Sequence, residues 1–469
     1  MIESFSFVFL LLAFPILWAV LLRESGIRLL TISIPSALIW AIFITQYIGY
    51  PILFFHLDEY RAELVRDQNI IWQMFLWSSY SVSMIIVGFV AARKQMGPLH
   101  SGVQFNSFHE SLFSACSTER WILFAVFALS LASLFIYILR IGWSNVAGLA
   151  AVGIIDTDVS LKILRSEMGN AFEGKYHWYR LFMRDFLSMS SFGFFAHWLM
   201  SRSRIAFFSF FGSFAVAAFS MLMATEKGPL LFYLISLFIV YLIVKHGGRI
   251  TLYAGALCIT AGLVIAGVMY IYFMGSPNIG DGFASVFSRI LTGQMVGLYH
   301  NLTIYPEQVD YLLGRSFPNP SGIFWWEPIS VSVQVMDIVN PNNHQNGITG
   351  SMPTFFWGEM YANFGYLGII VPPFFVGYLV YTINILIFRL PMSPLVLAIY
   401  VWVLVHIKDI SSTGLSSYII DVTGLIMLIF TLIVMGILGG GVIRYRRRRL
   451  QNSVTRSDSD TRNLRGSGL

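Results

Sequence analysis

Trp121-Ile-Leu-Phe-Ala-Val-Phe-Ala-Leu-Ser-Leu-Ala-Ser-Leu-Phe-Ile-Tyr-Ile-Leu139 runs without a charge, a proline or a glycine. At about 1.5 Å of rise per residue it is about as long as the roughly 30 Å hydrocarbon core of a bilayer is thick. Further apolar runs of this kind flank it, at Phe5–Leu22, Leu29–Phe55, Ile70–Ala92, Leu181–Met200, Ile205–Met223, Pro229–Val244, Leu252–Met274, Tyr366–Phe388, Pro394–Ile407 and Ile419–Leu438. Hydrophobic residues make up 56% of the chain and charged residues 12%, with a mean hydropathy of +0.70. A soluble domain carries roughly 25% charged residues. The class is therefore all-α, a polytopic transmembrane helical bundle of about eleven spans, or twelve if Leu29–Phe55 breaks near Gly49 and Pro51. Nothing alternates at period two as a barrel would.

The first run has no basic residue ahead of it and no small-residue cleavage site, so it reads as a retained span rather than a signal peptide. Cys116 and Cys258 offer no disulfide framework. The net charge of +6 owes much to Arg444, Arg446, Arg447, Arg448 and Arg449. A basic tail after a span marks the cytoplasmic side and does not call for nucleic acid. Residues 1–443 form the membrane domain, and 444–469 a basic tail that composition predicts to be disordered.

With the tail inside, alternation puts Arg23, Arg28, Arg93, Lys94, Arg120, Arg202, Arg204, Lys245, Arg249 and Arg389 in short inner loops, and the N-terminus outside. Two outer loops are large, at about 140–179 and 275–365. In the first, Asp156-Thr-Asp158 can cap an interfacial helix. The second holds Arg289, His300, Glu307, Asp310, Arg315, Glu327, Asp337, His344 and Glu359 among Pro, Gly and Asn. Loops held by a rigid scaffold carry function, so the chemistry is expected here.

Phe283 to His300 reads as one amphipathic helix with Phe283, Val286, Phe287, Ile290, Leu291 and Leu298 on one arc. Arg289, Gly293, Val296 and His300 then form a line at its flank. Arg289 would grip an anion there, with His300 further along; the alternative is an interfacial helix whose Arg289 meets lipid headgroups. Arg315 is a second anion ligand. Trp325 and Trp326 offer flat faces that suit a sugar and equally suit a membrane interface. In the amide-rich Asn340–Gly347 segment, His344 is a candidate base or a solvated loop histidine. Glu359 lies about one turn before the next span, where an acid needs a reason; helix capping is the plainer one. Lys227, Arg180 and Arg184 face the same side. With Arg289 and Arg315 they would make a diphosphate clamp, because the arginine fork binds phosphate oxygens bidentately. No Walker A loop, HExxH, zinc-type Cys/His spacing or GxSxG elbow is present; no cofactor or metal is expected.

The span number, the large outer loop two-thirds along, the smaller one before it, and the run Gly350-Ser…Pro353…Gly358-Glu359…Tyr361…Asn363-Phe364-Gly365…Gly368 together resemble the O-antigen polymerases of the Wzy type, with Lys227-Gly228 resembling that family's short basic turn. The resemblance implies a glycosyltransferase-C-like enzyme of the bacterial inner membrane. It would polymerise undecaprenyl-diphosphate-linked oligosaccharide repeat units at the periplasmic face, moving the growing glycan from its carrier to the non-reducing end of a new unit. It implies functional arginines in the two outer loops, carried over to Arg289 and, in the earlier loop, to Arg165 or Arg180. Tyr361 and Asn363 enter as substrate-binding positions, and Glu359 or His344 as general base. A chain-length regulator protein and a flippase are partners the resemblance leaves room for, beside the bilayer itself. The rival readings are an O-antigen ligase and a lipid-linked oligosaccharide flippase or other transporter. The latter places its charges within spans, whereas here they gather in outer loops.

Overall fold

The computed structural model describes residues 2–61, 63–98, 117–151, 154, 164, 168, 176–223, 227–274, 279–319, 322–341, 350–390, 393–416 and 423–437. Among them every regular element is helical, and the one strand-like contact is an isolated bridge between Thr31 and Arg249. Eight helices are long and apolar enough to cross a membrane: Ser4–Ser25, Ile34–Phe54, Gln68–Met96, Thr118–Ile141, Arg204–Leu222, Gly228–His246, Tyr366–Phe388 and Pro394–Ser411. Shorter apolar helices lie at Leu252–Ile265 and Thr423–Ile437, and residues 176–201 form a further helix wound as π over Leu181–Phe186. The chain is a multi-pass membrane protein. The apolar run from Leu29 is one span, not two. It starts at Ile34, where Ser33 and Ser36 form a capping box, and passes Gly49 without a break through a π turn at Phe43–Tyr47.

Contacts between loops separate the two ends of the bundle. At one end Ile32 N–H donates to Gly248 O at 2.8 Å, Arg93 donates to Glu24 O, Lys245 Nζ to Leu199 O at 3.1 Å and Arg389 to Met96 O at 3.4 Å. All the loops expected to be inner ones, apart from residues 99–116, which lie outside the described residues, thus meet at this end. It is the basic end, with Glu24 and Glu119 as its acids among the described residues. At the other end the mixed-charge loops meet.

Two spans set the frame. A Cβ on Gly377 would fall 2.0 Å from Ile85 O, and one on Gly88 would fall 2.2 Å from Phe374 O. The backbones of Gln68–Met96 and Tyr366–Phe388 therefore touch, which is how spans associate when lipid removes the hydrophobic drive between them. At the polar end the same pair is joined by Trp77 against the Tyr366 ring, centroids 5.2 Å apart, and by Tyr80 O–H donating to Ile370 O at 3.5 Å. At the basic end Asn384 Oδ1 accepts from Ile34 N–H at 3.0 Å and Tyr400 O–H at 3.2 Å. That ties three helices and satisfies a helix-start donor that lipid cannot.

The large outer stretch is a packed cap rather than an open loop. It contains helices Ile279–Leu291, Gly293–Ile304, Val331–Val339 and Phe356–Phe364. Met295, Leu298, Tyr305, Phe355, Trp357 and Tyr361 join the same buried cluster as Tyr50 and Phe75 of the spans. Glycines let it sit close: a Cβ on Gly49 would meet Leu291 O at 2.1 Å, and one on Gly297 would meet Pro353 O at 2.3 Å. The 152–175 segment of the earlier outer loop, with Asp156-Thr-Asp158 and Arg165, lies almost wholly outside the described residues, as does the 444–469 tail.

Replacing Gly377 by alanine forces the two backbones apart. We expect a loss of about 1–3 kcal/mol or more, as for other overpacked contacts, read as a lower thermal midpoint in detergent. Gly212, whose Cβ would meet nothing within 4 Å, should tolerate the same change.

Candidate functional site

The helix expected over Phe283–His300 is two helices, broken at Thr292 (φ −121°, ψ −14°). The Thr292 hydroxyl turns back to Ser288 O at 2.7 Å and also reaches the Asp58 carboxylate. A side-chain route for the chain's own donors competes with the helix at this point. The break ends the proposed line of residues. Arg289 stays exposed on the first helix, while Val296 is buried and His300 half-buried on the second.

Asp58 belongs to the first outer loop, between Ile34–Phe54 and Gln68–Met96, and is buried. Its Oδ2 accepts from Ser288 Oγ at 2.8 Å, and its Oδ1 from Tyr60 N–H at 3.0 Å. Ser288 Oγ in turn accepts from Arg61 Nε at 3.1 Å. This carboxylate–hydroxyl–guanidinium chain directs Arg61 toward Gly293. A Cβ there would lie 3.6 Å from Arg61 Nη2 and 3.7 Å from Arg289 Cγ. Arginines from loops more than two hundred residues apart in sequence thus flank one glycine at the polar end. A cavity of ≈ 240 Å³ opens on the Asp58–Ser288 side, lined by Leu57, Asp58, Glu59, Phe287, Ser288 and Thr292 among others but by neither arginine. Sequence reasoning passed over Asp58 and Arg61, whose loop is short and carries no motif.

Glu359 sits one layer deeper, 3% exposed on the Phe356–Phe364 helix. Its carboxyl is engaged by Ser416 N–H at 3.1 Å and by the Ser416 hydroxyl. A Cβ on Gly414 would fall 2.2 Å from its Oε2, so the 408–416 turn closes directly over the acid. Burial pushes its pKa up from the ordinary carboxylate value, against the smaller opposing effect of the serine hydrogen bonds. Expected from sequence to take a proton from a substrate hydroxyl, Glu359 instead meets protein on every described side and holds the turn after the Pro394–Ile407 helix. Gln294 of the neighbouring helix reaches the same turn: with its amide oriented so that the nitrogen faces the two carbonyls, it donates to Ser412 O and Pro353 O, each at 3.3 Å.

Asn363, buried one turn on, has both ends of its amide occupied. Its Oδ1 accepts from Gly314 N–H at 3.0 Å and Ser316 N–H at 3.4 Å, and its Nδ2 donates to Ser316 Oγ at 2.8 Å and Glu359 O at 2.9 Å. Tyr361 is buried too, with its hydroxyl donating to Tyr305 O at 3.3 Å. These two residues, read as substrate contacts, have their polar atoms taken up by the fold. Arg315 follows the strap that Asn363 holds and is exposed, its carbonyl accepting from Ile329 N–H at 2.8 Å.

Among the described side chains, the four arginines of the expected clamp stand in separate groups. Arg289 stands with Arg61, and Arg315 with the Asn363 strap. Arg180 is exposed and Arg184 half-buried on residues 176–186, beside a separate apolar cluster around Leu134, Tyr137 and Met183. Next to them Asp185 Oδ1 accepts from Trp402 Nε1 at 3.0 Å and lies 3.5 Å from His406 Nε2, a polar joint between two apolar helices. His300 Nε2 is buried without a hydrogen-bond partner among the described residues, and burial lowers the pKa of the ring, which favours its neutral form. Trp326 stacks on Phe324 at 4.5 Å, and Trp325 is 91% exposed. His344, Arg165 and the Lys227 side chain lie outside the described residues.

A raised pKa makes stability depend on pH with a definite sign. The buried carboxyl contributes fully below the unfolded value near 4.5 and loses its contribution as pH rises through the folded value. The thermal midpoint should therefore fall as pH is raised above about 5. Glu359→Gln, which keeps the shape of the neutral acid, should flatten that fall without unfolding the protein. A Glu359→Gln midpoint that falls with pH as steeply as the wild type would assign the dependence elsewhere.

No family model matches the chain, and neither curated proteins nor solved structures yield a match.

Proposed function

We propose that this chain is a metal-independent membrane glycosyltransferase that extends a lipid-diphosphate-linked glycan. Its substrates would be undecaprenyl-diphosphate-linked oligosaccharide units in the bacterial inner membrane. The observation that carries the reading is Arg61, held through Ser288 by Asp58 and reaching Gly293, with exposed Arg289 one helical turn before that glycine. The positive-inside rule assigns the basic end of the bundle to the cytoplasm, so the pair would face the periplasm.

The reaction needs little more than placement and charge. An acceptor hydroxyl oxygen attacks the anomeric carbon of the growing glycan. The bond from that carbon to the diphosphate oxygen breaks, and the lipid diphosphate leaves with the electron pair. Negative charge grows on the leaving oxygen, and cations fixed beforehand at that place lower the barrier. Arg289 and Arg61 fill this role, with Arg315, Arg180 and Lys227 as the other cations of the same face. The hydroxyl proton passes to a base, for which His300, whose burial favours the neutral ring, and His344 are the candidates. Glu359 and Asn363 act as positioning residues that keep the cap on the span ends.

The test is a gel profile of surface glycan from a strain deleted for this gene and complemented with the wild type, Arg289→Ala or Arg61→Ala. Each variant should reach the membrane at normal level while long-chain polymer falls by about 100-fold, the usual effect of removing one preorganised transition-state donor. A core-plus-one-unit band should remain. Loss of every glycan-bearing band in the deletion strain points to the ligase or flippase readings. A normal ladder in Arg289→Ala would sink the assignment of the arginine pair.

A further inference from the structure

The segment Ser316-Phe-Pro-Asn-Pro-Ser-Gly-Ile-Phe-Trp-Trp326 carries no charge, and its tip faces outward. Ile323 is 73% exposed and Trp325 91%, with Leu313 just before the segment at 76%. Hydrogen bonds tie Asn319 to residues 324 and 326. Asn319 Nδ2 donates to Phe324 O at 2.8 Å and Trp326 O at 2.7 Å, and its Oδ1 accepts from Phe324 N–H at 2.8 Å. The turn passes through Gly322 with φ +69°, which a residue with a side chain adopts only with strain. Phe324 and Trp326 stack beneath it as a pedestal. An ordered turn that presents isoleucine and tryptophan to water is unfavourable unless something apolar meets it.

Its place in the fold says what that is. Phe317, at the base of the segment, lines an almost wholly apolar cavity of ≈ 310 Å³ with Val371, Pro372, Phe375 and Leu379 of the Tyr366–Phe388 span. Phe375 and Leu379 are exposed on the outer, lipid-facing side of that span. Leu313 N–H donates to Asn363 O at 3.0 Å, which puts Leu313 level with exposed Phe364 and Leu367 at the head of the span. Apolar side chains thus lead from the head of the span by way of Leu313 and Phe317 to the Ile323–Trp325 tip, with exposed Arg315 between Leu313 and Phe317. In sequence the uncharged 316–326 segment lies between Arg315 and Glu327.

We infer that the Ile323–Trp325 tip inserts into the leaflet at the polar end of the bundle, at the boundary between headgroups and acyl chains. Tryptophan favours that depth because it offers a broad apolar ring and one N–H donor. The insertion ties the cap to the bilayer beside the strap held by Asn363. It is independent of the reaction proposed above and would stand if that reaction were disproved.

The experiment uses the full chain with Cys116→Ser and Cys258→Ser, reconstituted in vesicles of phosphatidylcholine and phosphatidylglycerol. An environment-sensitive fluorophore is attached at Ile323→Cys or, should that variant not fold, at Trp325→Cys. Glu307→Cys, in the exposed 306–308 turn, is the aqueous comparison. The tip label should show blue-shifted emission, strong quenching by lipids spin-labelled near the glycerol, and weak quenching by iodide, with the reverse at Glu307. Iodide quenching at the tip equal to that at Glu307 would overturn the inference. So would a tip that is water-exposed until a lipid-linked saccharide is added, which would make it a glycan platform.

Discussion

Two glycines, Gly88 and Gly377, let the backbones of Gln68–Met96 and Tyr366–Phe388 touch, and the polar end of the molecule is arranged by that contact. Each of these spans is preceded by an outer loop. Bringing their axes together brings residues 56–67 beside the 279–304 helices and the Phe356–Phe364 helix beside both. The hydrogen bond from Asp67 N–H to Tyr299 Oη at 3.3 Å and the Trp77–Tyr366 ring contact are direct results. Dispersion and hydrogen bonding between spans, rather than a hydrophobic drive, must hold such a pair in lipid. Close backbone approach is the geometry that maximises both.

The cap above these spans illustrates how a polar segment is kept compact at a membrane surface. Its interior is apolar and continuous with the bundle core, and its few buried polar groups act as ties. Glu359 joins the cap to the turn after Pro394–Ile407, and Asn363 joins it to the 312–316 strap. A buried carboxylate costs several kcal/mol to desolvate, and the neutral acid costs far less. The raised pKa of Glu359 follows from this difference. The acid is a structural clasp, engaged by the backbone and hydroxyl of Ser416.

Charge is distributed by end. The basic loops meet at one end, and Asp58, Arg61, Arg289, Arg315 and Glu359 collect at the other. Within the polar end the cations form groups rather than one clamp, and each has its own support. Asp58 and Ser288 orient Arg61, and Asn363 orients the backbone that leads to Arg315. An arginine whose carrier loop is pinned in this way loses less freedom on meeting an anion, which is the physical basis of preorganised electrostatic sites.

The sequence by itself determined the all-helical, multi-pass membrane class and the sorting of charge between loops. These follow from local composition and from the thickness of a bilayer, which any run such as Trp121–Leu139 must satisfy. It also marked Glu359, Asn363 and Arg289 as unusual, because polar groups next to long apolar runs stand out. The break at Thr292, the partnership of Arg61 with Arg289, and the burial of Glu359 under Gly414 were decided only by the tertiary structure. Each depends on partners far apart in the chain: Ser288 meets Asp58 across 230 residues, and Ser416 meets Glu359 across 57. A local pattern shows which side chains a segment offers. It does not show which distant carboxylate competes for a threonine hydroxyl, or which glycine admits a neighbour's backbone.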